Sequence, residues 1–246
     1  MSGFDVTILF PALLAGLLIA ATHVPLGIEV LRRGIVFIDL AIAQIAGTGV
    51  IAADWLGFEA HGWGVQIAAL VAALAGALVL TWSEKRWPEV QEAVIGVAFI
   101  FAASAGILLL AGNPHGGEHL RDLLTGQILW VGFTDLAYPA LASVLILALW
   151  FGAKTRLGRV GFYILFAWAV TISVQLVGLY LVFATLIVPA LATRALVKLR
   201  QSSAYALAAT GYLAGLVLSA LSDLPSGAVI VCAMTIIGAC VYACKR

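Results

Sequence analysis

Nine apolar stretches, at about residues 7–28, 35–57, 63–82, 91–112, 127–151, 160–176, 178–193, 204–221 and 226–243, occupy most of this 246-residue chain. Their usual length is close to what a helix rising 1.5 Å per residue needs to cross a hydrocarbon layer about 30 Å thick. Water is absent from such a layer, so only helices and closed barrels satisfy their own backbone there, and barrel strands alternate apolar with polar residues. These stretches do not alternate. The sequence therefore predicts an all-α polytopic membrane protein with about eight to nine transmembrane helices, forming one transmembrane domain over residues 1–246. A charged fraction of 10%, against about 25% in soluble domains, agrees.

The sixth and seventh stretches could be read as one long helix, and the basic residues decide between the two readings. If the chain turns near Gly178, then Arg32, Arg33, Lys85, Arg86, Lys154, Arg156, Arg159, Arg194, Lys198, Arg200, Lys245 and Arg246 share one side, which is 12 of the 13 Lys and Arg. Only Arg121 falls opposite. The positive-inside rule then predicts nine crossings, with the N-terminus outside and the C-terminus in the cytoplasm. The loops "GFEAHGWG" (57–64), "NPHGGEH" (113–119) and "SDLPSG" (222–227) fall on the outer side and hold three of the four histidines, His61, His115 and His119. Trp55, Trp63, Trp82, Trp87, Trp130 and Tyr242 near stretch ends suit interfacial anchoring. Small residues in "AALVAALAGALVL" (68–80) suit close helix packing.

Some functions are argued against. The first stretch has no basic n-region, so no cleavable signal peptide is expected. Cys232, Cys240 and Cys244 lie in or beside the last stretch without a CxxC, which predicts reduced thiols. A net charge of +1 carries no sign of a nucleic-acid partner, and none is expected; the surroundings are membrane lipid. No GxxxxGK[ST] occurs, so ATP binding would need another subunit.

Four features bear chemistry. Asp39 lies about one turn into the second stretch, where a carboxylate costs roughly 2.5–3.5 kcal/mol at helix-centre depth. It either pairs with Arg32, Arg33 or another helix end, or lines a cation path. Gln44 is placed to bond between helices. Glu92 opens the fourth stretch, as a cap on its own helix or as a path-lining or structural group. "HGGEH" (115–119) offers His115, Glu118 and His119 as ligands for zinc or another first-row ion, or is simply a solvated loop. It also fits the inverted zincin spacing, but Gly116 and Gly117 weaken the helix a peptidase needs and no glutamate follows Glu118 as a third ligand. In "VGLYLVFATLIVPALATRALVKLR" (177–200), Pro189 is expected to kink or end a helix ahead of a short cationic surface helix, either a handle for a cytoplasmic protein or a plain anchor.

Three stretches in the same order, "FPALLAGLLIAATHVPLGIEVLRRGIVFIDLAIAQIAGTG" (10–49), "EAVIGVAFIFAASAGILLL" leading to "LRDLLTGQILWV" (92–131) and "VGLYLVFATLIVPALATR" (177–194), resemble the ABC-3 metal permease family. These are the membrane-spanning subunits of bacterial zinc and manganese ABC importers. The resemblance implies a type II importer-like permease in the bacterial inner membrane, a homodimer or paired permease. Two cytoplasmic ABC ATPase subunits would drive it and an extracytoplasmic metal-binding protein would feed it. No tightly bound cofactor is implied, only a transported ion, zinc first and then manganese or iron. By resemblance Asp39 is the carboxylate lining the metal path, Glu92 falls on an acidic position, and Pro189, Ala190, Ala192, Thr193 and Arg194 fall on the segment that meets the ATPase. The family's histidine four residues after the aspartate falls on Ala43, and the connection after the fifth stretch shrinks to "GAKTRLGRV" (152–160). Two other readings compete: a proton- or gradient-driven carrier, with Pro189 in a broken helix, and a siderophore- or cobalamin-type permease.

Overall fold

The computed structural model describes residues 6–58, 62–110, 124, 126, 128–196 and 198–244. Among these the regular structure is helical: α1 (Val6–Arg33), α2 (Ile38–Trp55), α3 (Trp63–Arg86), α4 (Gln91–Leu110), α5 (Ala137–Val177), α6 (Leu179–Ala192), α7 (Arg200–Ser222) and α8 (Ser226–Ala243). Short 3-10 turns lie at Pro88–Val90 and Ile128–Trp130.

All nine predicted stretches are helical over most of their described length. Seven are long and apolar enough to cross a membrane, in α1 to α4, in Leu157–Val177 of α5, and in α7 and α8. The other two, Ala137–Ala153 and α6, are shorter. With 14 residues α6 covers only about 21 Å, so it is less than a full crossing. Two glycines set these limits. Gly158 (φ 56°, ψ −153°) divides α5 into its two limbs, and Gly178 (φ 82°, ψ 163°) separates α5 from α6 where the charge pattern requires a break. A side chain at either φ would strain the backbone, so both positions favour glycine. The fifth stretch starts later than expected. Residues 133–136 form turns, and Asp135 Oδ2 accepts from the Gly132 N–H (2.8 Å), an Asp-anchored turn ahead of the helix start at Ala137.

The chain forms two compact units, one from Met1–Arg33, Leu124–Leu147 and Ser173–Arg246, the other from Gly34–Leu123 and Ala148–Ile172. In the first unit α6 is central and packs against α1, α7 and α8. Ten of its 14 residues are buried, which suits a helix that is apolar on all sides. The approach of α1 is backbone to backbone: a Cβ on Gly27 would lie 2.0 Å from the Leu186 carbonyl oxygen. Gly16 makes room for the Tyr212 ring, and Gly215 lies against the Ile230 backbone. Hydroxyls bind the same helices, with Tyr205 Oη donating to Ala21 O (3.0 Å) and Thr185 Oγ1 paired with Tyr212 Oη (2.8 Å).

In the second unit α2 packs on both α3 and α4. The small-residue stretch of α3 makes the expected close face: Ala69, Ala73 and Ala77, spaced by four, are fully buried, and Gly49 of α2 meets Ala72 and the Ala68 carbonyl. The bond between α2 and α4 comes from Thr48, whose Oγ1 reaches Gln44 O (2.8 Å) and Ala102 O (2.9 Å). Gln44, the expected donor, takes part in this link through its backbone carbonyl. Ser83 and Gln91 tie α3 to α4 through Ser83 Oγ to Gln91 Oε1 (2.9 Å) and Gln91 Nε2 to Leu80 O (3.0 Å). Val97, Phe101 and Leu108 share one outward face of α4 and leave large apolar side chains for lipid, Phe101 being 76% exposed. Trp55 and Trp63, at the facing ends of α2 and α3, are also exposed, as interfacial anchors should be.

The Gly27 approach gives a direct test. Gly27→Val forces α1 off α6 and should cost about 1–3 kcal/mol, lowering the thermal midpoint of detergent-extracted protein by roughly 5 °C. Gly96→Ala, on α4 with open space around the built Cβ, should leave the midpoint level or slightly higher.

Candidate functional site

The N-terminal turn of α2 holds buried carboxylate oxygens that the helix packing does not use. Phe37 stands at the N-cap with no side-chain cap of its own. Its N–H is taken instead by Glu92 Oε1 from the first turn of α4 (3.2 Å). Glu92 therefore satisfies the start of α2, where the sequence suggested a cap on its own helix. Two residues on, Asp39 is completely buried, at 0% exposure. Neither Asp39 oxygen, nor Glu92 Oε2, receives a hydrogen bond from the described residues. The helix N-terminus offsets part of the negative charge through its unpaired N–H dipoles, but it supplies no donor to these three oxygens.

The structural alternative for Asp39, a salt bridge to the arginine pair, is taken by another residue. Arg32 Nη2 (2.5 Å) and Arg33 Nε (2.9 Å) both bond Glu29 Oε1, one turn earlier on α1. Sequence reasoning passed over Glu29, although its spacing of three and four from the arginines was the available signal. Asp39 and Glu92 thus present carboxylate oxygens at one helix end, suitable for a hard or borderline divalent ion. Among the described residues no three His, Cys, Asp or Glu side chains converge as a preformed metal cluster.

The remaining sequence candidates divide. His61, His115, Glu118 and His119 lie outside the described residues. Pro189 does not end α6: it lies within it, three residues before the last, and its carbonyl accepts from both the N–H (3.2 Å) and Oγ1 (2.7 Å) of Thr193 at the helix end. Pro189, Ala190, Ala192 and Thr193 are buried within the fold, and of the five residues on this segment Arg194 alone is exposed. Arg194 lies over the Tyr242 ring (5.3 Å to its centre) and donates to its hydroxyl (2.9 Å), so Tyr242 serves as a partner for Arg194. Among the described residues no surface helix follows. Residues 193–195, 198 and 199 are turns, and α7 starts at Arg200, whose guanidinium reaches back to Ala190 O (3.4 Å). With Pro189 tolerated inside α6, the cationic stretch is needed as a connection and has no length left for a separate helix.

The chain matches the model of the ABC 3 transport family over residues 5–157 and 150–245. It is similar to the high-affinity zinc uptake system membrane protein ZnuB of Haemophilus influenzae, 25% identical over 92% of this chain and 93% of that protein. It is also similar to the manganese transport system membrane protein MntC of Halalkalibacterium halodurans, 27% identical over 89% of this chain and 81% of that one. Among solved structures, PsaBC from Streptococcus pneumoniae in complex with Fab shares the fold, with a TM-score of 0.74 at 21% identity over 97% of this chain and 91% of that one. The two family matches together span nearly the whole sequence, and on that ground the chain belongs to the ABC 3 transport family.

Proposed function

We propose that this chain is the membrane-spanning permease subunit of an ABC importer for a divalent transition metal, zinc first and manganese or iron next. A separate cytoplasmic ATPase drives it, an extracytoplasmic metal-binding protein delivers the ion, and the permease works as a homodimer. The observation that carries this reading is Asp39, a fully buried carboxylate left without a donor in a fold that pairs most of its other polar groups. Leaving such a group unpaired costs on the order of 1–3 kcal/mol, more for a charge, and the cost is recovered only while a cation is bound. The zinc and manganese systems named for its relatives support the substrate class.

In this reading the ion passes Asp39 as a transient oxygen ligand, and the neighbouring Glu92 Oε2 shares the load. The permease does no chemistry: ATP-driven closure of the partner switches access from outside to inside. Choice of metal falls partly to the delivery protein, because ligand affinity follows the Irving–Williams order and does not by itself favour manganese over zinc. The clustering of basic residues supports an N-terminus outside and a C-terminus in the cytoplasm. Arg194, exposed beside Tyr242, offers the ATPase a fixed positive charge at the end of α6, and the buried Pro189 to Thr193 shape that end.

Elemental analysis of metal-starved cells expressing the chain with its ATPase tests the reading. One metal from a panel of zinc, manganese, iron, cobalt and nickel should accumulate, and only while ATP is available. Accumulation that survives ATP depletion and stops with an uncoupler would give the function to a gradient-driven carrier. Asp39→Asn should cut uptake at least tenfold while the thermal midpoint stays level or rises, since an unpaired buried charge is removed. A fall in midpoint with uptake retained would make Asp39 a structural residue.

A further inference from the structure

The fourth histidine, His23, lies in the middle of α1 and is 0% exposed. Its Nδ1 is within hydrogen-bonding distance of Ile19 O (3.1 Å) and Thr22 Oγ1 (3.0 Å), while the Thr22 hydroxyl also reaches Ile19 O (3.1 Å). Its Nε2 meets no partner among the described residues. A carbonyl only accepts, so placing the ring proton on Nδ1 satisfies Ile19 O and leaves Nε2 as a bare lone pair. The other tautomer would leave a buried N–H without an acceptor, which folded proteins tolerate less well than an unused acceptor. Held this way, the imidazole is arranged as metal-binding histidines are, with one nitrogen fixed by a carbonyl and the other free to ligate.

The position on α1 supports this. Gly16, His23 and Gly27 fall on one stripe at spacings of seven and four, and that stripe faces α6 and α7: Gly16 meets Tyr212 and Gly27 meets Leu186. On those helices Thr185 gives its proton to Leu181 O (2.7 Å), so Tyr212 Oη is the donor to Thr185 (2.8 Å) and keeps a lone pair of its own. The hydroxyls of Thr22, Thr185 and Tyr212 all have bonds, whereas His23 Nε2, like Arg200 Nε at the start of α7, has none among the described residues. Were His23 only a space-filling core residue, an apolar side chain would fit without the unmet nitrogen.

We infer that His23 is a ligand of the transported ion, its Nε2 lone pair taking a borderline divalent metal such as zinc at a second step of the route. The assignment rests on the permease reading above and adds an imidazole to a path for which that reading supplies only carboxylates. An imidazole ligand favours zinc over manganese more strongly than carboxylate oxygens do, so His23 also biases selectivity.

The test uses the full chain with its ATPase and with the three native cysteines, which are free and exposed, replaced by serine. His23→Cys is treated, during ATP turnover, with a small charged thiol reagent in the presence or absence of zinc. The inference expects labelling that zinc slows at least tenfold, and in parallel a His23→Leu chain that inserts and retains its ATPase but loses zinc uptake at least tenfold, with manganese uptake reduced less. His23→Cys that stays unlabelled, or is labelled equally with zinc, overturns the inference whatever the uptake of His23→Leu. So does wild-type zinc uptake by His23→Leu. ATP-dependent uptake by the unsubstituted chain in the same assay reports on the permease reading itself, so failure of that reading is distinguished from failure of this one.

Discussion

A backbone surrounded by hydrocarbon has no water to bond, and that constraint governs the rest of this structure. Helices close their own N–H and C=O groups and must then find packing without a hydrophobic driving force between them. Here the solution is close backbone approach. Gly27 against Leu186, Gly49 against Ala68 and Ala72, and Gly215 against Ile230 bring helix axes near enough for dispersion and short hydroxyl bonds to hold them. Larger side chains are turned outward, on α4 through Val97, Phe101 and Leu108.

The same constraint dictates how polar side chains are treated. Thr81, Thr171, Thr185, Thr193 and Thr235 each return a proton to the carbonyl four residues earlier, at 2.7 Å, so a hydroxyl within a helix rarely goes unused. Glu29 is neutralised by two arginines on its own helix. Against this economy Asp39, Glu92 Oε2 and His23 Nε2, together with Glu84 Oε2, Gln175 Nε2 and Arg200 Nε, are buried without a partner among the described residues. Asp39 and Glu92 carry oxygens and His23 a nitrogen of the types that bind divalent metals, and the proposed use during transport would account for their cost to folding.

The sequence made the membrane class, the helix content and the break at Gly178 readable, because apolar length and the sidedness of Lys and Arg report directly on crossing a bilayer. It placed Asp39 for the same reason: a carboxylate in an apolar run is unusual by itself. It did not distinguish a short helix from a full crossing at α6, since apolar composition is the same for a helix buried among helices and one facing lipid. The turn at Gly132 and Asp135 depended on a single side-chain bond. Thr48 makes a bond from α2 to α4 of the kind expected of Gln44, and a threonine hydroxyl carries no such signal in one chain's pattern. His23 could have been found by treating every ionisable residue inside an apolar stretch as a candidate, the rule that singled out Asp39. The outer-loop cluster of His115, Glu118 and His119 lies outside the described residues, so the structure bears only on the candidates within the helices.

The central claim, that Asp39 holds the ion in transit, is most directly tested by X-ray absorption at the zinc or manganese edge on the complex of permease and ATPase arrested mid-cycle with a non-hydrolysable ATP analogue. The account predicts a bound ion with oxygen neighbours at roughly 2.0–2.2 Å, and loss of that shell, with most of the metal, in Asp39→Asn. The same metal content and the same spectrum in both proteins would contradict it.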